Sequence, residues 1–215
     1  MKQRVTVYID GFNLYYGLKR MKETNAEWQN FYWIDYVNLF SQFIGKDQEL
    51  VKVIYFTASP LNPSKNSRQS ALLNANRILH PEQFEVVRGK YIGKTIECPH
   101  CKFAISKPEE KRTDVNLSVR MMGDCAMNQT DILILVSADS DLVPPIEFIQ
   151  KYHKDKKVRV YFPPANFSND LKDNMIRHKG KLILLINNKL KFANSVMPDT
   201  VTANGKTATK PEKWK

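Results

Sequence analysis

The chain has 215 residues, 42% of them hydrophobic, which is enough for one domain with a substantial core. Its 33 Lys and Arg against 22 Asp and Glu give a formal net charge of +11, which favours polyanionic partners such as nucleic acid. The sequence has no run of 18 apolar residues, no signal-peptide pattern and an odd number of cysteines, so we expect a cytoplasmic protein without membrane spans or a disulfide framework.

Strand-like and helical patterns alternate from the first residues onward. Runs of β-branched, aromatic and other apolar residues predict strands at 4–9, 50–58, 84–93, 131–136, 157–162 and 181–186. Apolar residues at helical spacing predict a helix just after residue 10 and further helices at 35–45, 65–79, 109–127, 141–153 and 168–178. This alternation predicts an α/β fold in which helices cover both faces of a mostly parallel sheet.

Two segments do not follow the alternation. Residues 94–108 contain Cys-Pro-His-Cys and are interpreted as a CxxC knuckle, inserted into a single domain that covers residues 1–190. From residue 195 onward the aliphatic periodicity stops, and Thr, Lys, Gly and Pro dominate. That composition predicts a basic, disordered tail at 195–215.

Aspartates follow two of the predicted strands. Asp10 ends the first strand, and Asp139 and Asp141 come after the strand at 131–136. Ligands of parallel sheets bind beyond the carboxyl ends of the strands, where the strand order reverses, so Asp10 and Asp139 meet if their strands are neighbours. A structural interpretation is also open, since each aspartate can cap or begin the helix that follows it.

A third aspartate, Asp114, lies on a predicted helix. It shares a face with Leu117 and Met121, so its carboxylate borders apolar side chains and is costly unless a partner compensates it. A surface ion pair with Lys111 is the alternative. Three clustered carboxylates would repel one another, and Mg²⁺ or Mn²⁺ is the cation that best suits such oxygen ligands. Such an ion supports the hydrolysis of phosphodiesters.

Three stretches, taken together, resemble the NYN domain, a branch of the PIN-like nuclease superfamily. They are YIDGFNLYYG, EEKRTDVNLSVRMM and ILILVSADSDLVPP, in this order. The knuckle ECPHCKF, just before the second stretch, resembles that of a bacterial subgroup. The resemblance covers about residues 4–187. It implies a PIN-like, Rossmann-type fold and a divalent-metal-dependent ribonuclease that uses Mg²⁺ or Mn²⁺.

The resemblance also implies roles for individual residues. It places the family's acidic metal ligands on Asp10, Asp114 and Asp139, with Asp141 as a further acid nearby. Asn13 matches the asparagine of the family's first motif and is expected to orient a metal water or a phosphate. Ser137 lies where the family has a small hydroxyl residue beside the metal.

Basic and aromatic residues near these acids are candidates for substrate binding. Lys111 and Arg112 precede Asp114 by about one turn, at a distance from which they could touch phosphate. Tyr15 and Tyr16 follow closely after the first strand and are either core residues or stacking partners for unpaired bases.

The cysteines Cys98 and Cys101 form a C-x₂-C pair, which is half of a structural zinc site. A second chain could supply the other half in a homodimer, and a cysteine turn without metal is an equally good interpretation. The aromatic residues Trp28, Tyr32 and Trp33 likewise either cover the core or contact a second subunit.

The leading hypothesis is therefore a divalent-metal-dependent endoribonuclease that hydrolyses single-stranded or loop RNA by metal-activated water. The resemblance implies products with 5′-phosphate and 3′-hydroxyl ends. One alternative is an RNA-binding or regulatory module with a vestigial metal site, and another is a non-nucleolytic enzyme on the same fold. The sequence has no GxGxxG fingerprint of a dinucleotide cofactor, which disfavours the last alternative.

Overall fold

The structure is a computed structural model that describes residues 2–215 and, at 106–108, the main chain alone. The strands are β1 (Gln3–Asp10), β2 (Gln48–Thr57), β3 (Phe84–Arg88), β4 (Lys90–Glu97), β5 (Ala104–Lys111), β6 (Ile132–Val136), β7 (Lys157–Phe162), β8 (Lys181–Leu184), β9 (Thr200–Ala203) and β10 (Lys206–Thr209). The α-helices are α1 (Gly11–Thr24), α2 (Tyr36–Ser41), α3 (Pro63–Leu79), α4 (Thr113–Ala126), α5 (Val143–Tyr152), α6 (Asn169–Arg177) and α7 (Lys189–Ala193). Every helix within residues 2–215 is too short or too polar to cross a membrane.

The central sheet has six parallel strands in the order β3-β2-β1-β6-β7-β8. The chain builds one half of the sheet outward from β1 and then returns to build the other half from β6. The strand order therefore reverses between these two strands, and Ile9 of β1 pairs with Val136 of β6 near their carboxyl ends. This arrangement confirms the predicted α/β fold with a mostly parallel sheet.

Helices cover both faces of the sheet, as the sequence predicts. On one face, α1, α2, α3 and a 3₁₀ helix at Ala26–Tyr32 pack against strand residues such as Val7 and Ile9. On the other face, α4, α5 and α6 pack against residues such as Tyr8 and Leu135. Successive residues of β1 thus point to opposite faces, and both faces are buried.

The aromatic residues after α1 belong to the core. Trp28 and Trp33 are buried, and the indole N–H of Trp33 donates a hydrogen bond to the Pro198 carbonyl at 2.8 Å. The ring of Tyr32 lies 5.8 Å from that of Trp214. Of the two interpretations of this aromatic group, the structure therefore supports the one in which it covers the core.

The inserted segment is a β-hairpin that is longer than predicted. β4 pairs with β5 in antiparallel register from Lys90 to Lys111, whereas the sequence indicated an insertion at 94–108. The predicted strand at 84–93 is therefore divided at Gly89. A Cβ atom at Gly89 would lie 2.6 Å from the main-chain oxygen of Lys111, so only glycine fits where the chain leaves the central sheet.

The hairpin also moves the start of the following helix. The helix predicted at 109–127 begins at Thr113, because the residues up to Lys111 pair within the hairpin. Arg112 separates the two elements with a left-handed φ angle of 79°. The Glu110 carboxylate accepts a hydrogen bond from the Thr113 amide at 3.1 Å and thereby helps to begin α4.

The C-terminal residues 195–215 are ordered, so the prediction of a disordered tail is wrong. β9 and β10 pair around Asn204 and Gly205, whose positive φ angles of 51° and 70° suit a tight two-residue hairpin turn. Val201 and Trp214 are buried in the core. These few apolar contacts order a segment whose composition is otherwise polar.

Candidate functional site

Two aspartates lie where the strand order reverses. Asp10 is the last residue of β1 and only 3% exposed, and its carboxylate caps α1 by accepting a hydrogen bond from the Asn13 amide at 3.0 Å. Asp139 follows β6 and caps a short 3₁₀ helix at Ser140–Leu142, accepting from the Asp141 amide at 3.0 Å. Both aspartates therefore act as helix caps, and capping is compatible with a second role as metal ligands.

Asp114 reaches the same place from α4. It is the second residue of that helix and half-buried, while Leu117 and Met121 on its face are fully buried against the sheet. The prediction that Asp114 borders the apolar face is therefore confirmed. Lys111, the alternative partner of Asp114, forms an ion pair with Glu109 at 2.9 Å.

The three aspartates converge into one cluster, which we call the acid cluster. One carboxylate oxygen from each of Asp10, Asp114 and Asp139 lies within 4.8 Å of the other two. Carboxylates at such distances repel one another, and the cost is greatest for a buried one such as Asp10. Oxygen ligands at this spacing can contact a single divalent ion, which would offset that repulsion.

The pKa of Asp114 shows the crowding of negative charge in the acid cluster. It is raised to about 6, first by burial and then by the carboxylates of Asp10, Asp139, Glu110 and Asp141. Each of these charged neighbours is acidic, so the local field opposes the ionised form of Asp114 and favours a cation.

Two side chains orient the Asp10 carboxylate. The Asn13 amide group donates a hydrogen bond to Asp10 Oδ2 at 2.9 Å, and the Ser137 hydroxyl donates to the same oxygen at 2.8 Å. Burial raises the pKa of Asp10, while the hydrogen bonds from Asn13 and Ser137 oppose the rise. The Ser137 hydroxyl also accepts from the Asp139 amide at 3.0 Å, so it links the ends of β1 and β6.

Other predicted site residues surround the acid cluster without joining it. Asp141 is exposed and lies outside the group of three, although its charge contributes to the raised pKa of Asp114. Lys111 and Arg112 are exposed at the start of α4. Their part in substrate binding stays a prediction.

Tyr15 and Tyr16 lie on α1, with 37% and 47% of their surfaces exposed. Both line a cleft that is also lined by Gly11, the residue after Asp10. Neither tyrosine is a core residue. The structure therefore agrees with the second interpretation, in which their rings are accessible to a ligand.

The cysteines Cys98 and Cys101 are free thiols at the tip of the β4–β5 hairpin. Main-chain N–H groups of Cys101 and His100 donate hydrogen bonds to the Cys98 sulfur and lower its pKa. Cys125 is buried in α4 against the sheet. Within residues 2–215, the only set of three or more converging ligand atoms is the acid cluster, so zinc binding at the hairpin stays a prediction.

Two residues near the acid cluster were not found from the sequence. Glu110 lies in a segment predicted to be helical, and it adds negative charge beside Asp114. Asn166 donates hydrogen bonds from its side-chain amide to the main-chain oxygen of Asn13 at 2.7 Å and to Asn13 Oδ1 at 3.1 Å. No sequence signal connects Asn166 to Asn13, because 153 positions separate them in the chain.

The six-stranded parallel sheet, with the acid cluster where its strand order reverses, defines an α/β protein with a candidate metal site. The model of the NYN domain matches residues 4–178, and the chain belongs to this family, as the sequence motifs predict.

The chain is also similar to two individual proteins. It is 25% identical to 6-hydroxy-3-succinoylpyridine 3-monooxygenase HspA of Pseudomonas putida, over 98% of this chain and 75% of that protein. Its structure resembles the crystal structure of VPA0982, a protein of unknown function from Vibrio parahaemolyticus. The TM-score is 0.54 at 22% identity, over 85% of this chain and 92% of that one. The second likeness concerns the fold alone.

Proposed function

We propose that this protein is a cytoplasmic, divalent-metal-dependent endoribonuclease that acts on single-stranded or loop RNA. The observation that carries the proposal is the convergence of the buried Asp10 with Asp114 and Asp139, at the place where the strand order reverses. Membership of the nuclease-like NYN family supports the reaction class. The formal charge of +11 favours a polyanionic substrate.

The donor set of the acid cluster fits Mg²⁺ or Mn²⁺. The converging ligand atoms are all carboxylate oxygens, which these ions prefer, and Asp10 is too deeply buried to carry its charge without compensation. Asp10, Asp114 and Asp139 would hold the ion, with Asp141 as an outer ligand. When bound, a divalent ion lowers the pKa of water and neutralises charge on a phosphoryl oxygen.

The chain's own groups prepare the site for that chemistry. Asn13 and Ser137 fix the orientation of the Asp10 carboxylate through the hydrogen bonds described above. Lys111 and Arg112 place positive charge at the start of α4, where they attract the RNA backbone without reading its sequence. No side chain needs to act as the nucleophile, because water can attack the phosphorus. As the family resemblance implies, we expect products with 5′-phosphate and 3′-hydroxyl ends.

The hairpin tip is proposed as a second, structural metal site. Zinc prefers four ligands, and Cys98 and Cys101 provide two. A zinc ion at these thiols therefore requires two ligands from another molecule, which a second copy of the same hairpin provides in a homodimer.

A second candidate function is favoured by the name of the Pseudomonas relative. That protein is described as a monooxygenase of a substituted pyridine, and it aligns with nearly the whole of this chain. A non-nucleolytic enzyme that modifies a small aromatic substrate on the same fold is therefore the rival proposal.

The test is a cleavage assay on labelled single-stranded RNA, duplex RNA and single-stranded DNA, with Mg²⁺, Mn²⁺ or EDTA. We expect cleavage of single-stranded RNA with a divalent ion and none in EDTA. The variants Asp10→Asn and Asp139→Asn should lose cleavage and keep the wild-type circular dichroism spectrum, because each change removes one metal-binding charge at nearly constant volume.

The matched control is Asp47→Asn, an exposed aspartate just before β2 at the opposite end of the sheet. This control should cleave at the wild-type rate. Wild-type cleavage by Asp10→Asn would show that the site is misassigned. RNA binding in EDTA without cleavage under either ion would support a binding module with a vestigial metal site.

A further inference from the structure

A cleft of about 760 Å³ lies beside the start of α1. Two of its lining residues, Gly11 and Phe12, directly follow Asp10 of the acid cluster in the chain. The walls come from α1, the first half of α3, the end of β2 and Tyr91 of β4, and Trp214 contributes from the C-terminal segment. This volume is within the range usual for ligand sites.

Aromatic rings line much of this cleft. The ring centroid of Tyr15 lies 5.3 Å from that of Tyr16 and 5.8 Å from that of Tyr32, whose ring in turn contacts Trp214. Tyr91 faces the same space from the β4–β5 hairpin. Because Tyr15 and Tyr16 are more than one-third exposed, part of each ring is accessible to a ligand. A flat, unpaired base stacks favourably on such rings.

The charge of the cleft is opposite to that of the acid cluster. One lining residue, Glu23, is acidic, and five are basic: Lys19, Lys22, Lys65, Arg68 and Lys213. A ligand that fits both features has a flat aromatic part and a negatively charged part. A nucleotide combines the two.

We propose that the cleft binds an unpaired nucleotide of single-stranded RNA, with its base stacked on Tyr15 and Tyr16 and its phosphates near Lys65 and Arg68. The proposal rests on the proposed function, because it places the scissile phosphate at the adjoining acid cluster. It also accounts for the single-stranded substrate proposed above, because a base that is paired and stacked in a duplex cannot enter the cleft.

Binding is measured by fluorescence anisotropy of a labelled single-stranded RNA, with the full-length protein in EDTA, where metal-dependent cleavage is absent. We expect Tyr16→Ala to weaken binding by about 5-fold or more and Tyr16→Phe to keep most of the affinity, since the ring is retained. Lys65→Ala should weaken binding to all single-stranded sequences alike and reduce the slope of log affinity against log salt by about one. Tyr16→Ala should leave binding to duplex RNA unchanged, because paired bases do not enter the cleft.

The matched control is Tyr152→Ala. Tyr152 is 59% exposed and lies on α5, which covers the other face of the sheet. The Tyr152→Ala variant should bind single-stranded RNA as wild type does. Thermal unfolding of each variant checks that the fold is intact.

The outcomes separate this proposal from the proposed function. If Tyr16→Ala and Lys65→Ala both bind RNA with wild-type affinity, and the protein cleaves RNA, the cleft proposal alone is overturned. If these variants bind RNA more weakly than wild type, and the protein cleaves no RNA with any divalent ion, the cleft proposal is supported and the nuclease proposal is overturned. Binding of a small aromatic carboxylate such as nicotinate, with no affinity for RNA, overturns both.

Discussion

Asp114 links the electrostatics of the acid cluster to the stability of the protein. Its pKa in the folded state is raised to about 6, first by burial and then by the neighbouring carboxylates. In an unfolded chain the pKa of an aspartate is close to its ordinary value, roughly 4. Because the folded-state pKa is the higher one, protonation of Asp114 favours folding. This contribution is complete below pH ~4 and is lost as the pH rises through about 6.

In EDTA, the free energy of unfolding of wild type should therefore fall as the pH rises from about 4 to about 7. The fall should be about 1–2 kcal/mol larger for wild type than for Asp114→Asn. This magnitude allows for solvent screening of the half-exposed side chain. Urea unfolding followed by circular dichroism measures this difference. Saturating Mn²⁺ at neutral pH should stabilise wild type more than the variant, which lacks one ligand. An identical pH dependence of the two proteins would contradict the raised pKa.

Asn166 positions the acid cluster through a second residue. Its side-chain amide donates to Asn13 Oδ1 at 3.1 Å, and this fixes the Asn13 amide so that its nitrogen faces Asp10 at 2.9 Å. Asn166 in turn accepts a hydrogen bond from Arg20. The orientation of the Asp10 carboxylate therefore depends on a residue from the loop between β7 and α6.

We expect Asn166→Ala to slow RNA cleavage by about 3- to 10-fold, the effect of losing one orienting hydrogen bond. Asn166→Asp should slow it further, because a carboxylate accepts from the Asn13 amide nitrogen and turns it away from Asp10. The Asn166→Asp variant should still keep the contact with Arg20, so it should unfold no more easily than the alanine variant. Single-turnover cleavage and urea unfolding measure the two effects. A faster Asn166→Asp than Asn166→Ala would mean that Asn166 has only a structural role.

At the residue scale, the sequence predicts the carboxylates better than the groups that orient them. Asp10 and Asp139 are predictable because parallel strands end at one edge of the sheet, and Asp114 because helical periodicity assigns its face. Glu110 and Asn166 are not predictable, since their positions depend on a hairpin and a loop that only tertiary contacts define.

At the scale of elements, a partly buried polar network fixes α4 against the sheet. The Tyr8 hydroxyl of β1 donates to the buried Asp124 carboxylate at 2.7 Å, and Arg120 Nε donates to the same carboxylate at 2.9 and 3.1 Å. Arg120 also bonds to Glu85 of β3 at 2.8 Å. Because α4 carries Asp114 in its first turn, this network helps to set where Asp114 lies.

We expect Tyr8→Phe to lower the free energy of unfolding by about 1–3 kcal/mol, the range for a hydrogen bond to a charged group. Arg120→Met should lower it more, by about 3–5 kcal/mol, because the buried Asp124 then loses its cation. The control is Arg177→Met, whose 3.6 Å ion pair with Glu147 is exposed and should contribute less than about 1 kcal/mol. Urea unfolding ranks the three variants, and equal losses for Arg120→Met and Arg177→Met would contradict the network's role.

Element types were easier to predict than element boundaries. The strands of the central sheet follow from their runs of apolar residues, but the β4–β5 hairpin does not, because its strands are exposed and largely polar. Its pairing displaced the predicted start of α4 from 109 to Thr113. Local preference for helix was overridden there by antiparallel pairing within the hairpin.

At the scale of the whole molecule, the C-terminal segment completes the core and the cleft. The family match ends at residue 178, yet β9 and β10 pack against α3, and the ring of Trp214 contacts Tyr32. The sequence did not predict this, since Met197, Val201 and Trp214 are the few buried apolar anchors among residues 195–215. The Asn204–Gly205 pair was the available signal, because it favours a two-residue hairpin turn.

Trp214→Ala should therefore destabilise the protein as a core substitution does, although the residue is next to the last in the chain. We expect the free energy of unfolding to fall by about 3 kcal/mol, because a large buried aromatic side chain is lost from contact with Tyr32. The neighbouring Lys213→Ala, at an exposed position, should change it by less than about 0.5 kcal/mol. Removal of residues 200–215 should cost more than Trp214→Ala, since Val201 is lost as well. Urea unfolding followed by circular dichroism compares the three proteins. If the truncated chain unfolds at the wild-type midpoint, the C-terminal segment contributes nothing to the core, and its packing against Tyr32 and α3 is wrong.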